Sequence, residues 1–226
     1  MYNQSMSQAS KRPYRKRKRA QAEEETRRRI TEAAVELHGT VGPANTKVTE
    51  VAERAGVSRM TVYNHFPTDA DLFLACSTHW TTQNPLPDPS GWIETANPAA
   101  RVVSALDELY GWYGRKRGML EKVLRDAPLV PSLSELMDGF WGGYMDDVVS
   151  ALSRGWSDEQ EADGALQATL SVVVDFQTWR TLSESGLSNA SAAEVAAAMV
   201  VGVAGTADAR RLATPRSSSW PAPGPA

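Results

Sequence analysis

Between about residues 20 and 213, apolar side chains recur three and four positions apart, and the alternating runs that mark strands are missing. That period predicts an all-α chain. A first helix is expected over 20–37, with Ile30, Ala33, Ala34 and Leu37 on one face, and is stopped by Gly39 and Gly42-Pro43. A short helix over 46–55 turns Val48, Val51, Ala52 and Ala55 inward and breaks at Gly56. A third runs from the Ser58 cap to about His65 and buries Val62 and Phe66; Pro67-Thr68 then starts a fourth at Asp69. Longer helices are expected over 98–114, 116–127, 132–154, 158–184 and 191–213, after an irregular connection over 84–98 that holds four prolines.

The formal charge of −3 hides an asymmetry. Residues 1–66 carry a net +6 and the remainder −9, so contact with a polyanion is expected only near the N-terminal end. Residues 11–19, KRPYRKRKR, hold seven basic side chains and no acid. Their self-repulsion predicts a disordered basic arm over 1–19, with Arg15, Arg17 and Arg19 available to a DNA backbone or minor groove; a solvated solubilising tail is the other reading. Residues 214–226, TPRSSSWPAPGPA, read as a second disordered tail. A single cysteine, Cys76, and a first ten residues without an apolar run point to a reducing, cytoplasmic setting. The longest uncharged apolar run, 195–207, is shorter than the roughly 18–20 residues a membrane span needs, so no membrane partner is expected.

The stretch Val48 to Phe66, VTEVAERAGVSRMTVYNHF, has helix-turn-helix spacing: a short amphipathic helix, a glycine where a steep crossing calls for positive φ, a serine cap and a second short helix. The second helix turns Arg59, Met60, Thr61, Tyr63 and Asn64 outward, a mixture of guanidinium, hydroxyl, amide and aromatic groups suited to base edges and phosphates. With DADLF following, residues from about Arg29 to Leu74 resemble the DNA-binding domain of the tetracycline-repressor-like (TetR) family of bacterial transcriptional regulators.

The resemblance implies a DNA-binding domain over 20–66, an effector-binding and dimerisation domain over 67–213, and a homodimeric regulator, most often a repressor, on a palindromic double-stranded DNA operator. Ser58 would cap the recognition helix, Arg59, Met60 and Thr61 would face the major groove, and Tyr63, His65 and Thr68 would lie near phosphates. Lys47 and Thr49 belong to the same DNA-facing set at the start of the second helix. Lys47 stands where the family usually has Thr, and Asp69 where it usually has a phosphate-gripping Lys.

No nucleophile, base or metal cluster is evident: His38, His65, His79 and Cys76 lack ligand spacing, and no phosphate loop appears, so neither enzyme activity nor a metal or cofactor is expected. His38 and His79 read as helix-end or surface residues. The last two helices are apolar around most of their circumference and small at Ala198, Gly202 and Gly205, which fits either a dimer seam or a central core. Of the 17 aromatic residues, ten fall between Trp92 and Trp179. Trp112, Phe140, Trp141, Tyr144, Phe176 and Trp179, on three predicted helices, are candidates for an apolar effector pocket, with core filling as the alternative. Asp175, beside Phe176, would suit a cationic ligand or solvent.

Overall fold

The computed structural model describes residues 5–156 and 164–213, and all regular structure among them is helical. The helices are α1 (Ser5–Thr40), α2 (Val48–Ala55), α3 (Arg59–His65), α4 (Asp69–Gln83), α5 (Pro89–Trp92), α6 (Pro98–Asp126), α7 (Pro131–Met137), α8 (Gly143–Ser153), α9 (Gly164–Val174), α10 (Phe176–Glu184) and α11 (Asn189–Ala213). Short 3₁₀ turns, Pro43–Asn45 and Ala127–Leu129, precede α2 and α7, and a π turn over Asp138–Gly142 joins α7 to α8. No helix among the described residues is long and apolar enough to cross a membrane. The expected tail over 214–226 and the expected helix start at 158 lie outside the described residues.

Three expectations about the elements are corrected. The basic segment is continuous with α1, whose Arg, Lys, Ala, Gln and Glu after Pro13 are strong helix formers. The helices expected over 98–114 and 116–127 are one, since Gly114 lowers propensity without removing a backbone donor as proline would. The helix expected over 132–154 is interrupted by the π turn, where Gly139, Gly142 and Gly143 weaken the α register. The helix expected over 158–184 stops at Asp175, whose carboxylate accepts from the Gln177 amide at 2.7 Å and caps α10. Asp175 is itself exposed.

The chain forms two compact units that do not follow the expected boundary after residue 66. The first takes the chain up to Leu86 and then Lys116–Gly142; the second takes Pro87–Arg115 and everything from Gly143 onward. The α6 helix therefore belongs in part to each. In the first unit, Ile30, Ala34 and Leu37 of α1 pack with Val51, Ala52 and Ala55 of α2, Val62 and Phe66 of the α3 end, and Leu72 and Cys76 of α4. Phe73, Ala127 and Leu133 form a smaller adjoining cluster.

In the second unit, Tyr113 packs edge-on against Phe176 with ring centres 5.4 Å apart and lies 5.8 Å from Trp179. The Tyr110 and Tyr113 hydroxyls donate to the carbonyls of Val173 and Val174, both at 2.6 Å, satisfying the open end of α9. Buried Arg101 donates to the carbonyls of Thr95, Ala151 and Arg154, closing the end of α8.

Candidate nucleic-acid interface and an adjoining cavity

The turn between α2 and α3 is built by three local devices. Gly56 takes φ 65°, ψ 40°, the left-handed conformation in which a side chain would be strained, and its amide reaches back to the end of α2. Ser58 adopts extended backbone and its Oγ accepts from the Thr61 amide at 3.1 Å, satisfying one open donor of α3. Val62 and Phe66 are buried, so one side of α3 is fixed on the core and the other is left to solvent. Arg59, Met60, Tyr63 and Asn64 are exposed, Met60 at 68%; Thr61 and His65 are half-buried. Residues 48–66 thus present a helix-turn-helix whose second helix offers its polar face outward, and this is a DNA-binding domain.

The remaining expected DNA-facing residues are placed as follows. Lys47 precedes α2 with its side chain exposed, while its backbone amide donates to Glu50 at 3.5 Å; Thr49 is half-buried on the first turn. The Thr68 hydroxyl accepts from the Asp71 amide at 3.2 Å, and the Asp71 carboxylate accepts from the Thr68 amide at 3.0 Å. This capping box, exposed and adjacent to α3, gives Asp69 and Asp71 a place at a helix N-terminus. Arg15, Arg17 and Arg19 are exposed on α1.

Two residues that the motif does not mark hold this interface together. Arg27 donates from Nη1 to the His65 carbonyl at 2.7 Å, and Arg29 donates from Nη1 to the Ala55 carbonyl at 2.8 Å. The first grips the end of α3 and the second the end of α2. Their sequence signal is the run Arg27-Arg28-Arg29 on a helix, where successive side chains point about 100° apart and take different partners. Arg28 instead pairs with Glu25 and Glu32, both at 2.6 Å, on the exposed side.

Behind the interface, the first unit contains a largely apolar cavity of about 70 Å³ that opens to solvent. Val35 and His38 of α1, Phe73 and Trp80 of α4, and Met119 of α6 line it, together with Phe140 and Trp141 of the π turn. The six aromatic residues expected to converge on one effector pocket are therefore divided. Phe140 and Trp141 line this cavity, whereas Trp112, Phe176 and Trp179 are buried in the core of the second unit and Tyr144, also there, donates to the Pro87 carbonyl at 3.0 Å. Interruption of the 132–154 helix separates Trp141 from Tyr144, and the rest fill a core that needed their volume.

His38, expected at the surface, is 6% exposed, and burial pushes its pKa down to about 4 against a smaller opposing pull from Asp126. Asp126 is 1% exposed; its Oδ2 accepts from the Ala44 amide at 3.1 Å, and its Oδ1 accepts from Arg125 Nε at 2.6 Å. Gly42, φ 94°, leaves room for that carboxylate, into which a Cβ would run. The Cys76 thiol is buried, its pKa pushed up to about 12.

The comparisons with known proteins agree with this geometry. Residues 30–76 match the family of bacterial regulatory proteins described as the tetR family. Over 57 residues the chain is 40% identical to the HTH-type transcriptional regulator AcrR of Shigella flexneri, a match covering 25% of this chain and about a quarter, 26%, of that relative. A TetR transcription regulator from Haloarcula marismortui covers 80% of this chain and 97% of its own at 17% identity, with a TM-score of 0.52. A transcriptional regulator from a Rhodococcus species covers 78% and 96% at 17% identity, with a TM-score of 0.55. At that identity the two structures speak for a shared fold alone. The family match is confined to residues 30–76, so it is the helix-turn-helix region that is similar to tetR-family regulatory proteins.

Proposed function

We propose that the protein is a cytoplasmic, non-enzymatic homodimeric repressor that binds a two-fold related operator and releases it when a small apolar effector binds. The observation that carries this reading is the outward face of α3, where Arg59, Met60, Tyr63 and Asn64 stand exposed on a helix whose other side is buried. One such helix per subunit, presented by a symmetric pair, reads two half-sites about one helical turn apart. The basic charge of residues 1–66 supplies the general affinity for DNA, and Arg59 and Thr61 supply base preference.

Support for the dimer comes from α11. Ala192, Ala193, Ala196, Ala197 and Val200 face their own core, while Val195 and Met199 are exposed at 39% and 46% on a side they share with Gly202, where an added Cβ meets nothing within 4 Å. An apolar stripe of this kind calls for a covering surface. Effector release follows from differential affinity: a ligand that fits only the non-binding conformation draws the population away from DNA.

The test is selection of bound sequences from random duplex DNA, followed by titration of the selected site. An inverted repeat is expected, and Arg59→Ala should cost about 1–3 kcal/mol on the preferred site while equalising the bases beneath it. Recovery of no preferred sequence would end the reading.

A further inference from the structure

The outward face of α3 is polar except at its centre. Met60 there is 68% exposed and Tyr63 43%. Buried Val62 marks the core side of the helix, and at about 100° per residue Met60 lies roughly 160° round from it, on the side farthest from the core. Tyr63, three positions on, is its neighbour on the helix surface. Arg59 and Asn64 flank the pair and are exposed as well, so the apolar patch is continuous with the proposed DNA contact.

The hydroxyls of the same turn are already engaged. Thr61 Oγ1 lies 2.8 Å from Ser58 Oγ, which also accepts from the Thr61 amide at 3.1 Å. That pairing holds the Thr61 hydroxyl back against the cap, whereas Met60 projects a long, unbranched, polarisable side chain. An apolar side chain held in water gains by covering apolar surface. Along the major groove the base edges display hydrogen-bond donors and acceptors together with one apolar reading group, the C5 methyl of thymine.

We infer that Met60 is a specificity residue that reads a C5 methyl group in the major groove, so that at one base of each half-site the protein separates thymine from uracil and 5-methylcytosine from cytosine. The inference rests on the proposed operator-binding reading and adds to Arg59 and Thr61 a residue that reads by burial. Its signature differs from that of a hydrogen bond. Thymine offers the O4 acceptor where cytosine offers the N4 donor, so a hydrogen-bonding side chain ranks thymine with uracil and cytosine with 5-methylcytosine. A methyl contact instead places thymine above uracil and 5-methylcytosine above cytosine. Methylation of a cytosine at that base therefore tightens the complex, which makes the site responsive to a modification that leaves Watson–Crick pairing unchanged.

The experiment uses the full chain and the duplex obtained by selection. Each thymine of one half-site is replaced in turn by uracil opposite adenine, and by cytosine and 5-methylcytosine opposite guanine, and affinity is read by fluorescence anisotropy. Expected is one thymine whose replacement by uracil costs about fourfold, the worth of burying one methyl group, with 5-methylcytosine ahead of cytosine by a similar factor. Changing both half-sites together should square that factor. Met60→Gln, exposed and of similar length, should abolish both differences; Met60→Leu should keep them, and Thr61→Val should leave the two ratios unchanged. Thymine and uracil bound alike at every position, or a methyl preference that survives Met60→Gln, would overturn the inference while the operator reading stands. Failure to select any preferred duplex would end the operator reading and this assignment with it.

Discussion

The guanidinium of Arg27 lies 4.2 Å from the centre of the Phe66 ring while its Nη1 donates to the His65 carbonyl at 2.7 Å. One side chain thus stacks on the residue that caps α3 and fills the open end of that helix, so the tilt of the reading helix depends on α1. Arg27→Lys keeps the charge but loses the planar stack and the fork. It should lower stability by about 1 kcal/mol and weaken binding on all duplex sequences alike, whereas Arg59→Ala should act on the preferred site. Paired denaturant melts and titrations on specific and scrambled duplexes check this; loss confined to the specific duplex would assign Arg27 to base reading.

The basic N-terminal stretch tests a different term. Arg15, Arg17 and Arg19 are exposed on a helix, where i and i+4 share a face while i+2 lies on the other side, so Arg15 and Arg19 fall together and Arg17 apart. Replacing Arg15 and Arg19 by Gln should reduce the slope of log affinity against log salt by up to about 2, roughly 0.9 per phosphate contact, and Arg17→Gln should do less. An unchanged slope in the double variant assigns the stretch to solubility.

His38 sets a pH dependence whose sign is fixed. Its folded-state pKa of about 4 lies below the ordinary 6.5, so the unfolded chain binds the extra proton between those values. The stability it contributes is complete above pH 6.5 and is lost as pH falls toward 4, of order 2 kcal/mol between pH 7 and pH 5. Asp126, held below its ordinary value chiefly by its hydrogen bond to Arg125, acts in the opposite part of the scale: its contribution is present above about pH 3.8 and fades only below it. Urea melts at pH 7 and pH 5 should therefore show a drop in the natural chain that His38→Phe largely removes. An equal drop in both would remove His38 as the cause.

The outward stripe of α11 predicts the effect of charge on assembly. Gly202→Arg places a guanidinium beside Val195 and Met199, away from the core face of the helix, at a position where an added Cβ meets nothing within 4 Å. Sedimentation should show a folded monomer with weakened operator binding, since a covered apolar seam rejects an unpaired charge. A dimer unaffected by this change would put the interface elsewhere.

The all-helical class and the helix-turn-helix were legible because each rests on local chemistry: the three-and-four period, Gly56 at positive φ, and the Ser58 and Thr68 caps lie within a few residues of what they control. The errors lie where the outcome turned on distant or competing effects. Nothing near Gly114 signals that α6 continues, and only the competition between a short carboxylate and the helix backbone stops α9 at Asp175. The aromatic set was readable as apolar wall but not as two separate groups, because grouping Phe140 and Trp141 away from Phe176 and Trp179 depends on tertiary placement. His38 gave no sign of burial, since its environment is made by Phe73, Met119 and Asp126, 35 or more positions along the chain.

Sharing α6 between the two compact units bears on how such a regulator can be recombined. A transplantable DNA-reading module would have to be a contiguous stretch, yet the first unit is completed only by Lys116–Gly142, which returns after the chain has already entered the second. A chimera cut after Leu86 leaves Phe73 without Ala127 and Leu133, and a cut after residue 66 or after Leu86 leaves the Ala44 amide without the Asp126 carboxylate. Domain grafting onto a foreign sensor therefore has to carry the back half of α6 and all of α7 along, and the inherited cavity travels with them.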